Sequence, residues 1–141
     1  MRLVDANVLL YATNENDERH GVARAWLTRA LGGREAVGFD WAVLLAFLRL
    51  ATHPAVFHEP LTPLLAIEQI RAWLGGPAAV IVEPTSSHLE TLARLVGAAG
   101  TAGNLVNDAH LAALAIEYEG TVISFDRDFG RFPAVRWEVP A

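Results

Sequence analysis

Residues 2–13 read RLVDANVLLYAT, in which a short, mostly apolar run, Arg2–Val4, ends at Asp5 and a second apolar stretch, Asn7–Thr13, follows at once. The first run predicts a short strand and the second a helix that starts directly after it. The same order recurs in VGFD, which ends at Asp40, and in VISFD, which ends at Asp126. The sequence therefore predicts that three strands each deliver an aspartate at their carboxyl end.

Strand and helix patterns alternate along the remaining sequence and are joined by short connections. The predicted strands are Arg2–Val4, Ala36–Phe39, Ala79–Val82, Thr121–Ser124 and, as a possible fifth, Val135–Trp137. The predicted helices are Asn7–Thr13, Arg19–Leu31, Trp41–Ala51, Leu64–Leu74, Ser87–Val96 and Val106–Tyr118, with a loop over Gly97–Gly103. Such alternation is typical of a three-layer α/β/α fold around a parallel sheet, here of four or five strands. We expect one domain over residues 1–141.

The composition excludes several classes of site. The 141 residues contain no cysteine, which rules out disulfides, thiolate metal sites and cysteine nucleophiles. All eleven basic residues are arginine, so there is neither a phosphate-loop lysine nor a Schiff-base lysine. Hydrophobic residues make up 52% and the mean hydropathy is +0.28, which indicates a well-buried core and an apolar face available to a partner. No signal peptide or membrane-length apolar run is evident, and we expect a cytoplasmic protein.

Acidic residues from distant parts of the chain are expected to meet at one edge of the sheet. The carboxyl ends of parallel strands form the crevice where ligands bind, and Asp5, Asp40 and Asp126 all follow strands. Asp108 lies at the start of the helix Val106–Tyr118, which is apolar nearly all round and is expected to be the most buried helix, and its carboxylate would face the same rim. Carboxylates in close proximity repel one another unless a cation is present. Mg²⁺ or Mn²⁺ would relieve that repulsion and, in a chain with a net charge of −5, would also offset the charge that repels a nucleic acid.

Each of these aspartates also has a simpler interpretation. Aspartate is a favoured N-cap, and Asp5, Asp40 and Asp108 all precede or open helices. Composition and spacing alone therefore leave open whether these residues cap helices or bind a metal.

Four segments, in order, resemble the PIN-domain ribonucleases and, more narrowly, the VapC toxins of bacterial toxin–antitoxin pairs. They are VDANVLLYA (4–12), FLRLATHP (47–54), NLVNDAHLAALA (104–115) and SFDRDFGRF (124–132). The resemblance spans nearly the whole chain. It implies a PIN-like sheet, endoribonuclease activity that depends on Mg²⁺ or Mn²⁺, a homodimer, and a VapB-type antitoxin as partner.

The resemblance also assigns roles to individual residues. Asp5, Asp108 and Asp126 match the catalytic, metal-binding aspartates. Asn7 matches the polar residue that often follows the first of them, and Ser124 matches the hydroxyl of the late S/T-x-D segment. The chain also supplies Asp128, in the D-x-D-F pattern, as a less certain partner.

One departure from the family pattern concerns a glutamate that many relatives carry on the helix before the FLR segment. The matching position here is Leu44 or Ala46, and neither side chain binds a metal. Asp40 is either a replacement that reaches in from its strand end or a plain N-cap. The first rival function is therefore a catalytically weak or inactive PIN-like module that binds antitoxin or RNA. The second is a small phosphatase or a flap-type DNA nuclease with the same acidic rim.

The remaining chemistry-bearing residues carry weaker signals. No two of the five histidines have the i, i+4 spacing of a zinc helix, and we expect surface or packing roles for all of them. His110 is two residues from Asp108, a spacing that turns the two side chains apart on a helix. Arg127 and Arg131 flank Asp126 and are candidates for phosphate contacts. Arg49 is expected either to contact phosphate or to pair with a buried carboxylate.

Overall fold

A computed structural model describes residues 1–99 and 105–141, which form five strands, six α-helices and one 3₁₀ helix. The strands are β1 (Arg2–Val4), β2 (Val37–Phe39), β3 (Ala79–Ile81), β4 (Thr121–Ile123) and β5 (Arg136–Glu138). The α-helices are α1 (Ala6–Thr13), α2 (His20–Leu31), α3 (Trp41–Ala51), α4 (Pro63–Leu74), α5 (His88–Ala99) and α6 (Leu105–Glu117), and Arg127–Arg131 is the 3₁₀ helix.

The five strands form one parallel sheet in the order β3-β2-β1-β4-β5. Helix α1 packs against α2 and α3, and α3 packs against α4. Helices α5 and α6 pack together as a separate pair. Because crossovers between parallel strands are right-handed, the two groups cover opposite faces of the sheet. The predicted three-layer α/β/α fold is confirmed, and the sheet has five strands rather than four.

The strand order places a switch point between β1 and β4. From β1 the chain proceeds toward β2 and β3, and from β4 it proceeds toward β5 on the other side. In open parallel sheets, ligands bind at the carboxyl ends of strands beside such a switch. Asp5 follows β1, while Ser124 and Asp126 follow β4, so both sets of predicted residues flank this position.

The core lies between the sheet and its helices. Leu3, Val4, Phe39 and Ile123 of the strands are completely or almost completely buried. Helix α6 buries seven of its residues, which confirms the prediction that it is the most enclosed helix. No helix among the described residues is both long and apolar enough to cross a membrane.

Most predicted boundaries are correct to within a residue or two, and one loop assignment was wrong. Helix α5 continues through Ala99, so Gly97–Ala99 are helical rather than part of a loop. A Cβ at Gly97 would meet no atom within 4 Å, so no close contact requires glycine at this helical position. The rest of the predicted loop, residues 100–103, lies outside the described residues.

Gly120 is required by the close approach of the chain's first residues. A Cβ at this position would lie 2.6 Å from Leu3 Cδ1 and 2.8 Å from the carbonyl oxygen of Met1. We predict that Gly120→Ala destabilises the fold by about 1–3 kcal/mol, because the backbone contact at β1 must shift. Gly97→Ala is the matched control and should raise stability by about 0.5–1 kcal/mol, since it improves an exposed helix position without a clash. Urea unfolding of both variants measures the two effects, and equal stabilities would contradict this account of Gly120.

Candidate metal centre and its cleft

Ser124 is the polar centre of the site, although it is completely buried. Its hydroxyl donates to Asp5 Oδ2 at 2.6 Å and accepts from the backbone N–H of Asp126 at 2.9 Å. The side-chain amide of Asn7 donates to both Asp5 Oδ2 and Ser124 Oγ, each at 3.0 Å, while its oxygen accepts from the N–H of Phe125 at 3.1 Å. These bonds join the end of β1 to the end of β4.

All three aspartates at strand ends cap the helix that follows. Asp5 accepts from the N–H of Ala6 at 2.7 Å, Asp40 from Ala42 at 3.2 Å, and Asp126 from Asp128 at 2.9 Å. The capping interpretation is therefore correct for Asp5 and Asp40 but not for Asp108, which lies within the first turn of α6 and not before its first residue. It does not exclude a ligand role, because a carboxylate oxygen has more than one lone pair.

The structure brings three carboxylates within reach of one ion. One side-chain oxygen from each of Asp108, Asp126 and Asp128 lies within 4.8 Å of the other two. Asp5 is outside this trio but borders the same cleft as Asp108. Asp128, which the sequence offered only as a supporting residue, is thus a member of the acidic trio with Asp108 and Asp126. Hard oxygen ligands at this spacing suit Mg²⁺ or Mn²⁺.

The pKa values of these carboxyls show the cost of the arrangement. Burial, together with the negative charges of Asp5, Asp126 and Asp128, raises the pKa of Asp108 to about 7. Burial also raises the pKa of Asp5, although the hydrogen bonds from Ser124 and Ala6 act in the opposite direction. No hydrogen bond from the described residues lowers the pKa of Asp108 in this way. Its carboxyl therefore retains a proton up to about neutral pH when no cation is present.

The cleft beside these acids has a volume of about 340 Å³ and extends from Asp5 and Asp108 to Asp40, Arg49 and His110. Ala46 lines it, whereas Leu44 is completely buried in the core. Of the two positions that match the missing glutamate, only that of Ala46 would let a glutamate side chain face the acids. Arg49 borders the cleft and forms no ion pair with the described residues, which favours the phosphate-contact alternative over the buried pair.

Two histidines have roles that the sequence did not reveal. His110 Nε2 lies 3.0 Å from Asp40 Oδ2, and His110 Nδ1 lies 2.9 Å from His88 Nε2. His88 Nδ1 in turn lies 2.6 Å from Glu117 Oε2. The hydrogen bond to Asp40 raises the pKa of His110 despite its burial. His110 also borders the cleft, a position compatible with the surface or packing role expected from the sequence. Its partners, Asp40 and His88, lie 70 and 22 residues away in the sequence. No local sequence pattern therefore indicated this series of hydrogen bonds.

Arg127 and Arg131 belong to the 3₁₀ helix that directly follows Asp126. Arg131 lies 3.4 Å from Asp128 Oδ1, and both side chains are substantially exposed. Asp40 is both an N-cap and a residue of the cleft wall, so the two alternatives for it are compatible.

Comparison with known proteins agrees with this geometry. Residues 2–135 match the PIN domain family. A relative from Mycobacterium tuberculosis, ribonuclease VapC37, is 53% identical over 140 residues, which cover 99% of this chain and 97% of that protein. This chain is a PIN domain of the VapC family.

Solved structures show the same PIN fold at low sequence identity. The VapBC2 structure from Rickettsia felis, bound to a promoter DNA fragment, has a TM-score of 0.69 at 15% identity and covers 99% of this chain and 98% of that one. VapC20 from M. tuberculosis, described as a toxin that cleaves the sarcin–ricin loop, has a TM-score of 0.68 at 21% identity and covers 96% and 99%. The VapC fold is thus retained when most residues differ.

The raised pKa of Asp108 predicts how stability depends on pH. Between its ordinary value of 3.8 and about 7, the folded protein binds a proton at Asp108 that the unfolded chain releases. Without divalent ions, the free energy of unfolding should therefore fall as pH rises through this window. Asp108→Asn should flatten the fall, because asparagine does not ionise. Urea unfolding at pH 5 and pH 8 measures both slopes, and an unchanged slope in the variant would refute the assignment.

Proposed function

We propose that this VapC-family chain is a divalent-metal-dependent endoribonuclease, the toxin of a VapBC-type pair, and that residues 1–141 act as one domain. The supporting observation is the convergence of Asp108, Asp126 and Asp128, with Asp5 beside them, at the switch point of the sheet. Such an acidic group serves hydrolysis of a phosphodiester once a cation has relieved its repulsion. The relative VapC37 bears the name ribonuclease, which supports the same reaction class here.

The residues present fit Mg²⁺ or Mn²⁺. Asp108, Asp126 and Asp128 would hold the ion, and Asp5 would support it directly or through water. When bound, the ion polarises phosphate oxygens and lowers the pKa of a coordinated water. A carboxyl with a pKa of about 7 is half-charged near neutral pH, so ion binding should release a proton from Asp108.

The chain's own residues would position these groups and the substrate. Ser124 and Asn7 donate to Asp5 and hold its carboxylate in one orientation. Arg49, on the cleft wall, and Arg127 and Arg131, beside Asp126, are the cations available for the RNA backbone. A ribonuclease of this kind would act in the cytoplasm, where its substrate and its antitoxin are made.

The rival function is a weakly active or inactive module that binds RNA or antitoxin. It is favoured by Ala46, which places a methyl group in the cleft where the resemblance to the family predicts a carboxylate. Fewer negative charges weaken the hold on a cation. Cleavage assays therefore decide between the two functions, and assays on single-stranded DNA and phosphate monoesters test the phosphatase and DNA nuclease alternatives.

We predict that the purified protein cuts structured RNA in Mn²⁺ and not in EDTA. Asp108→Asn should reduce the cleavage rate strongly, because it removes a metal ligand. Loss of a supporting group costs roughly 10–100-fold, and the loss of a ligand should cost more. Glu90→Gln removes one negative charge from an exposed position on α5 and is the control. The measurement is the rate at which labelled RNA is cut. Equal rates for the wild type and Asp108→Asn, or no cleavage by either, would contradict the proposal.

The proposed antitoxin partner is supported by an exposed apolar groove between α3 and α4. Trp41, Leu45, Leu48, Ile67 and Leu74 are among its lining residues. Leu45 is 57% exposed and also borders the acidic cleft, so a chain in the groove would reach the acids. A basic partner would complement the net charge of −5. A similar structure from Klebsiella pneumoniae is described as a toxin–antitoxin complex. Homodimerisation, implied by the resemblance, stays a prediction.

We predict that Leu45→Glu weakens the complex with the antitoxin. The antitoxin would be encoded by a short, basic reading frame directly upstream of the gene. A buried charge in an apolar interface is costly, so the dissociation constant should rise at least about tenfold. Leu89→Glu on α5, where the leucine is 72% exposed, is the matched control and should leave binding unchanged. Calorimetric titration of the two purified proteins gives both constants, and tight binding by Leu45→Glu would place the antitoxin elsewhere.

A further inference from the structure

The cleft has a second part, distinct in chemistry from its acidic end. Beyond Asp5 and Asp108 its wall combines apolar side chains with the polar side chains of Asp40, Arg49, Asn107 and His110. The apolar side chains come from α3 and α6 and are Ala42, Val43, Leu45, Ala46 and Leu111. Small-molecule and nucleotide sites commonly have this character, in which apolar surface packs on a flat ring and a few polar atoms select it.

Asp40 is one of the polar groups at this part of the cleft, and among the described residues only its Oδ2 accepts hydrogen bonds. Oδ2 accepts from the N–H of Ala42 at 3.2 Å and from His110 Nε2 at 3.0 Å. Oδ1 accepts no hydrogen bond from the described residues. An ionised carboxylate has lone pairs on both oxygens and donates nothing, so Asp40 offers the cleft an acceptor.

The orientation of Asp40 is fixed from behind by a chain of hydrogen bonds. His110 Nδ1 is paired with His88 Nε2, and His88 Nδ1 with Glu117 Oε2. The N–H and hydroxyl of Thr85 both donate to Glu117 Oε1. The side chains of His88, Glu117 and Thr85 thereby hold the imidazole of His110 in one plane. Such supporting groups keep a residue that faces a ligand in a single geometry.

We propose that this wall is a subsite for one nucleobase of the RNA, and that Asp40 Oδ1 selects a base with an exocyclic amino group. The ring would pack on the apolar side chains, while Arg49 would contact the adjoining phosphate. Cytosine, adenine and guanine each carry an amino group that donates to an acceptor. Uracil has a carbonyl at the position where cytosine has its amino group. The carbonyl oxygen and the carboxylate are both acceptors, so no hydrogen bond would form between them. The inference rests on the proposed ribonuclease function and adds base preference to it.

Asparagine at position 40 converts the acceptor into a donor without removing the cap. Asparagine caps helices about as well as aspartate, so α3 should be preserved. The two donors at Oδ2, Ala42 and His110, would hold the amide oxygen at that position. The NH₂ group of Asn would then occupy the place of Oδ1 and face the cleft. This arrangement should favour uracil, whose carbonyl accepts.

The experiment measures binding of fluorescein-labelled hexacytidylate and hexauridylate by fluorescence anisotropy. All proteins carry Asp108→Asn, which keeps the RNA intact. We expect the protein with Asp40 to bind hexacytidylate roughly 2- to 10-fold more tightly than hexauridylate, the span of one hydrogen bond. Asp40→Asn should reverse the preference. Asp40→Ser, which also caps helices, should weaken binding of hexacytidylate and leave that of hexauridylate unchanged.

Each other outcome overturns the subsite. Equal affinities for the two hexamers would do so, as would a cytosine preference that Asp40→Asn leaves intact, or no binding of either. Discrimination of ribo- from deoxyribo-hexacytidylate without a cytosine preference would assign the Asp40 contact to the 2′-hydroxyl instead. Cleavage of structured RNA by the unmodified chain is scored separately. The ribonuclease proposal can thus stand while the base subsite fails.

Discussion

The hydrogen bond from the Ser124 hydroxyl to Asp5 Oδ2, 2.6 Å long, is the interaction around which the site is built. It lies at the switch point of the sheet, where β1 and β4 send the chain in opposite directions. The same hydroxyl accepts from the N–H of Asp126. One buried oxygen therefore positions the first aspartate, the start of the 3₁₀ helix and, through that helix, Asp128. Asn7 forms a second polar link between the ends of the two strands, because its side-chain oxygen accepts from the N–H of Phe125.

The aspartates serve the fold and the site at once. Asp5 accepts from the N–H of Ala6 as a cap and from the Ser124 hydroxyl, and both bonds favour its charged form against the burial that raises its pKa. Asp108 lies in the first turn of α6, where the helix dipole favours a negative charge, but burial and three neighbouring carboxylates outweigh that benefit. No hydrogen bond from the described residues offsets the charge of Asp108, and the repulsion therefore raises its pKa. A cation beside Asp108 therefore contributes most of its stabilising effect there.

The acidic edge could be predicted from sequence because its signals are local. RLVD, VGFD and VISFD each join a strand pattern to an aspartate, and parallel topology alone then directs their ends to one crevice. The histidine chain could not be predicted in this way. His88, His110 and Glu117 are too far apart in sequence to form a motif, and only the packing of α5 on α6 and of α6 beside α3 brings them to Asp40. The approach of Asp128 to Asp108 likewise depends on the 3₁₀ helix, which apolar periodicity does not reveal.

The most direct test of the account is the carboxyl titration of Asp108, followed by ¹³C NMR with and without Mg²⁺. The account predicts a midpoint near pH 7 in the metal-free protein, since burial and like charges hold the proton. Added Mg²⁺ should move that midpoint markedly downward, because the cation favours the carboxylate. A midpoint near 4 without metal, or one that Mg²⁺ leaves in place, would show that these side chains do not share an ion, and the central claim would be wrong.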